Sequence, residues 1–98
     1  MGIVMRPELI AEYHRLLSQT QEMLALHREE RWVSVFQSWR SELRSDMPDA
    51  DLRRHAVRTT RVMGGTGSIS VIALFSRDDS FTKLLEALYA SCRQIRNA

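Results

Sequence analysis

The sequence predicts an all-α or nearly all-α fold. It is expected to hold four helices in one domain over 1–98, with a glycine-rich loop and a short extended segment before the last helix. Three observations point there. Apolar residues recur at three- and four-residue steps in four separate stretches. Pro7 and the aspartates at 46, 49, 51, 78 and 79 stand where helices begin. Only 69–75 shows β-branched, extended character, and a lone strand has nothing to pair with.

A chain of 98 residues can enclose a single hydrophobic core and no more. Its 44% hydrophobic and 27% charged content is ordinary for a folded chain and argues against wholesale disorder. The longest apolar run, Ile69 to Phe75, is broken by Ser70 and too short to cross a bilayer. Met1 to Met5 before Arg6-Pro7 is too brief for a signal peptide, so a cytoplasmic, membrane-free protein is expected. The lone Cys92 fits a reducing compartment, and its place in the last apolar stripe makes it a small core hydrophobe. A net charge of +2 is too mild to imply nucleic acid by itself. Of the 14 basic residues, all but Lys83 are arginine, a skew that reflects GC-rich bacterial coding more than contact design.

The first helix is expected over 7–27. Pro7 suits the first helical position, where an N–H would be unpaired anyway, and Glu8 favours the positive end of the dipole. Leu9, Tyr13, Leu16, Leu17, Thr20, Met23 and Leu24 then form one stripe. The phase slips through His27-Arg28-Glu29-Glu30-Arg31, which has no glycine or proline, so a short break or sharp turn is expected near 27–30, with one long bent helix as the alternative. A second stripe follows in Trp32, Val35, Phe36, Trp39 and Leu43, and its aromatic rings read as core. Ser45 to Asp51 is a linker turning into a helix start capped by Asp46 or Asp49. The third helix, about 49–63, is expected to turn Leu52, Ala56, Val57, Thr60 and Met63 inward. Arg53, Arg54, Arg58 and Arg61 face outward, with Arg54, Arg58 and Arg61 on one ridge. The last helix, about 79–96, carries Phe81, Leu84, Leu85, Leu88, Cys92 and Ile95 on one face. Trp32, Phe36, Trp39, Leu84, Leu85 and Leu88 are expected to share one core.

Gly64, Gly65 and Gly67 sit between the third helix and the extended segment. A phosphate-cradling loop follows a strand and opens a helix, and here that order is reversed with no lysine after it. The simpler reading is a helix C-cap with a glycine at positive φ, then a tight turn. Residues 69–75 pack on the helices, form a last helical turn, or pair across a homo-oligomer. His14, His27 and His55 have no metal-ligand spacing, and no Ser/His/Asp set can be assembled, so neither catalysis, a metal nor a cofactor is expected. The Arg ridge reads as a solvated face or as a contact surface for phosphates or acidic side chains.

The stretch Met63-Gly64-Gly65-Thr66-Gly67-Ser68-Ile69 resembles the loop of a family of small bacterial proteins. Its members carry a helical tryptophan, a Gly-Gly-Met-Gly-Ser-(Leu/Phe)-Asn-Asp loop, an apolar segment and a final helix. The matching pieces here are Trp32 or Trp39, that loop, Val71–Phe75 and 81–95, so the resemblance spans roughly 16–95. Thr66 stands in place of the methionine, and Ser70-Val71 in place of Asn-Asp. Small proteins of this kind sit beside toxin genes and act as immunity proteins. The resemblance therefore implies a module that binds a cognate toxin, and the absence of a catalytic set agrees with a non-catalytic one. The residues expected to meet a partner are the ridge read from helical spacing, Arg54, Arg58 and Arg61, with the loop glycines Gly64, Gly65 and Gly67. A nucleic-acid-associated or regulatory helical protein using the same ridge is the alternative.

Overall fold

The structure, a computed structural model, describes residues 2–44, 46–62 and 79–97, with side chains from residue 7 onward within them. Among these residues the chain forms helices α1 (Gly2–Leu26), α2 (Glu30–Glu42), α3 (Asp49–Val62) and α4 (Asp79–Asn97), and no strand. The all-α expectation holds. The glycine loop and the segment 69–75 lie outside the described residues.

Helix α1 is the backbone of the arrangement. Its 25 residues, at about 1.5 Å each, account for most of the molecule's 41 Å long axis. The buried stripe is Ile10, Tyr13, Leu16, Leu17, Thr20 and Leu24, with Leu9 and Met23 half-buried beside it. Thr20 belongs to an apolar stripe because its hydroxyl donates to the Leu16 carbonyl at 2.7 Å and leaves no orphan. The helix starts at Gly2 rather than at Pro7, so the proline lies inside it. So close to the N-terminus, only the few residues before the proline depend on the hydrogen bond it cannot make.

The expected break falls at 27–29 and has a definite form. Arg28 adopts φ 59°, in the left-handed region. The Glu29 N–H returns to the Leu24 carbonyl at 2.9 Å and the Arg28 N–H to that of Ala25 at 3.1 Å. This paired closure is a Schellman cap, with arginine in the position glycine usually takes. The chain then doubles back, and Arg40 of α2 reaches Gln21 of α1 at 2.8 Å.

Phe36 and Trp39 are the buried face of α2, their rings 5.2 Å apart. Trp32 and Leu84, both expected in the core, are half-buried and pack against its edge. Helix α1 packs on α2 and α4, and α4 packs on α3. His27 at the end of α1 stacks on Phe81 in the first turn of α4, and Tyr13 lies beside Cys92 further along, so α1 and α4 run antiparallel. In α4 the buried residues are Phe81, Leu85, Leu88, Ser91, Cys92 and Ile95.

Helix α3 corrects the sequence reading by one position. Its buried face is Leu52, His55, Ala56 and Thr59, whereas Val57 and Thr60 are half-buried and Met63 lies outside the described residues. Those four buried positions are a strict i, i+3, i+4, i+7 set. The apolar alternatives Val57 and Thr60 sit one step round the helix, and a polar pair takes the inward place because the core supplies its hydrogen bonds.

Candidate functional site

All four helices meet at one polar cluster inside the core. Tyr13 comes from α1, the Trp39 carbonyl and Glu42 from the last turn of α2, His55 and Thr59 from α3, and Cys92 from α4. Tyr13, Thr59 and Cys92 are fully enclosed and His55 is 2% exposed. The Tyr13 hydroxyl lies 2.7 Å from His55 Nδ1 and 2.6 Å from Thr59 Oγ1. His55 Nε2 lies 2.9 Å from the Trp39 carbonyl oxygen. The two rings meet edge-on, with centroids 5.4 Å apart.

The reason the Trp39 carbonyl is available lies in how α2 ends. The Leu43 N–H closes onto Arg40 at 3.2 Å, a tightened last turn that passes over the Trp39 carbonyl. His55 supplies the missing donor from the neighbouring helix. The imidazole is thus a C-cap for α2, provided by α3.

Hydrogen-bond logic then sets the tautomer. A carbonyl can only accept, so Nε2 carries a proton and donates it to Trp39. In the neutral ring Nδ1 must accept, and the Tyr13 hydroxyl donates to it. Thr59 completes the set, since its hydroxyl can donate to the Tyr13 oxygen or to the His55 carbonyl at 3.1 Å. Every buried polar atom of the cluster has a partner, which is what allows polar groups to sit there.

Burial holds the His55 imidazole below its ordinary pKa. The Trp39 carbonyl and the Glu42 carboxylate pull the other way, and Arg58 adds to the lowering. Burial pushes the Cys92 thiol up to about 11, against the lowering influence of Thr60 and Tyr13. It also raises the Tyr13 phenol above its usual range, and the nearby Cys92 adds to that rise. The order Glu42–His55–Tyr13 has the outline of a carboxylate–imidazole–hydroxyl relay, with Glu42 Oε2 3.5 Å from Nε2. Its hydroxyl is sealed from solvent and its phenol is made a weaker acid, the reverse of an activated nucleophile. What this set can do is hold and redistribute protons.

The arginine ridge lies on the opposite, outer face of α3. Arg54, Arg58 and Arg61 are all exposed, as their spacing requires. Arg54 pairs with Asp51 at 3.4 Å, and Arg58 pairs with Glu42 at 3.2 Å. Arg61 has no ion-pair partner among the described residues. Gly64, Gly65 and Gly67, the rest of the expected partner-binding set, lie outside the described residues. The structure therefore places the three arginines on one surface and links one of them, through Glu42, to the buried cluster. Among the described residues no group of three or more His, Cys, Asp and Glu could hold a metal ion. Among those residues, too, no helix is long and apolar enough to cross a membrane.

Sequence reasoning missed the cluster. The signal was present in the spacing Leu52-His55-Ala56-Thr59, which outranks Leu52-Ala56-Val57-Thr60 once polar residues are admitted to the stripe. Spacing puts Tyr13 in the α1 stripe, but nothing local names its partner 42 residues on. No protein-family model, curated protein or solved structure matches this chain.

Proposed function

We propose that this protein is a non-catalytic binding module that uses the outer face of α3 to dock an acidic protein surface. Taken with the loop resemblance, the reading becomes an immunity protein that caps a cognate toxin domain. A toxin with an acidic or nucleotide-binding cleft suits a ridge of this sign. The observation that carries the proposal is the division of labour on α3. The residues able to do chemistry, His55 and Thr59, face inward and are tied up in structural hydrogen bonds, while Arg54, Arg58 and Arg61 face solvent together.

The existing ion pairs do not oppose this. Exposed pairs such as Arg54–Asp51 are worth about 0–1 kcal/mol, so a partner's carboxylates can replace them at small cost. Glu42 and Asp51 also thin the positive field, which disfavours a phosphate backbone more than a patterned protein surface.

Because Arg58 touches the Glu42–His55 pair, the clean test leaves it alone. Arg54→Glu/Arg61→Glu should keep the helical circular dichroism and lose association with the product of the adjacent reading frame. A gel shift with mixed DNA and RNA runs alongside. Nucleic-acid binding without protein association supports the alternative reading, and unchanged association by the double variant removes the ridge from the interface.

A further inference from the structure

Glu42 stands between a buried base and a surface cation. One of its oxygens, Oε2, is 3.5 Å from His55 Nε2 and 3.2 Å from an Arg58 nitrogen. The two neighbours differ in hydration: the His55 side chain is 2% exposed and that of Arg58 is 54% exposed. We propose that Glu42 is a shared counter-ion that couples protonation of buried His55 to the freedom of Arg58 on the outer ridge.

The cluster is built to accept a proton without losing a hydrogen bond. In the neutral state, Tyr13 donates to Nδ1. With a second proton on the ring, Nδ1 donates to the Tyr13 oxygen. The Tyr13 hydroxyl then donates to Thr59 Oγ1, at 2.6 Å, and the Thr59 hydroxyl donates to the His55 carbonyl, at 3.1 Å. Nε2 keeps its bond to Trp39 throughout. Only hydroxyl hydrogens turn.

The cost of the proton is electrostatic, and Glu42 is the group placed to meet it. From α1 the ring faces the Tyr13 phenol, and from α2 it faces the Glu42 carboxylate and the Trp39 carbonyl. On its own helix Arg58 acts on it, and from α4 the Cys92 thiol lies against Tyr13 and Thr60. Glu42 is the one carboxylate in this set. A buried imidazolium is poorly hydrated, so it gains more from the carboxylate than a half-exposed guanidinium does. Water can replace Glu42 around Arg58, because an exposed pair is worth little. Acidification therefore draws Glu42 inward and leaves Arg58 unneutralised on the ridge. The reverse also holds by linkage: an anion that takes Arg58 leaves Glu42 to the histidine and strengthens proton binding there. That last consequence rests on the ridge being a docking face. The coupling itself belongs to the protein alone, so its failure leaves the docking reading standing.

The test is an NMR titration of the isolated protein. In wild type, the Glu42 carboxyl carbon and the Arg58 Nε resonance should each show an inflection at the His55 midpoint. Glu42→Gln should lower that midpoint by about half a unit or more, and Arg58→Gln should raise it by a similar amount. With Glu42 already replaced, Arg58→Gln should raise the midpoint by clearly less than it does in wild type, because its direct repulsion of the ring remains but its competition for the carboxylate is gone. Arg58 and Glu42 resonances that ignore the His55 midpoint overturn the proposal, and that reading needs no variant to fold. An Arg58→Gln shift of full size in the absence of Glu42 also overturns it.

Discussion

At the scale of single residues, the fold turns on Tyr13 and His55. Each would cost several kcal/mol if buried with its polar atoms unmet. Together with Thr59 and the carbonyl that α2 leaves open, they satisfy one another. Tyr13→Phe keeps the ring and removes only the hydroxyl. It strands Nδ1, whose tautomer is held by Trp39, and should cost about 1–3 kcal/mol by urea denaturation. A loss under about 0.5 kcal/mol would mean that water replaces the hydroxyl and the cluster is wetter than its burial implies.

At the scale of elements, the informative case is the end of α1. The apolar stripe stops at Leu24, but no glycine, asparagine or proline announces a stop. The helix ends because Trp32, Phe36 and Trp39 can reach the core only if the chain reverses, and Arg28 takes the left-handed conformation as a consequence. A non-glycine residue carries roughly 1–2 kcal/mol of strain there, against about 0.5–1 kcal/mol of extra chain entropy for glycine. Arg28→Gly should therefore raise stability by up to about 1 kcal/mol. Arg28→Val should lower it by more than that, since a β-branched side chain tolerates positive φ poorly. Thermal melts of both variants check the pair; a stabilising valine would show that the turn is not left-handed in solution.

At the scale of the whole molecule, the buried titratable groups define a window of stability. The folded-state pKa of His55 lies below its ordinary 6.5, so the unfolded chain binds the proton more readily. Stability from this group is present above pH 6.5 and is lost as pH falls toward the folded value. Cys92 shifts the other way, from 9.0 to about 11, and Tyr13 is raised from 10.0. Their contribution is present below pH 9 and is lost as pH rises past it. Urea midpoints should plateau between about pH 6.5 and 9 and fall on both sides. The decline just below pH 6.5 belongs to His55, because ordinary carboxylates titrate near pH 4. A midpoint that climbs as pH falls from 6.5 to 5.5 contradicts a buried neutral imidazole.

Periodicity alone was enough for the four helices, the phase slip near 27–30 and the outward ridge of Arg54, Arg58 and Arg61. These follow from local rules: which residues share a face at 3.6 per turn, and which side chains accept solvent. That the slip is a full reversal came from the packing of Trp32, Phe36 and Trp39. Tertiary structure decided what local rules cannot rank. Whether His55 or Val57 faces inward depends on a carbonyl exposed by another helix and a hydroxyl 42 residues away. Hydropathy favours the valine, but the core holds partners for the imidazole and the threonine, and a satisfied polar group can outcompete an apolar one for that place.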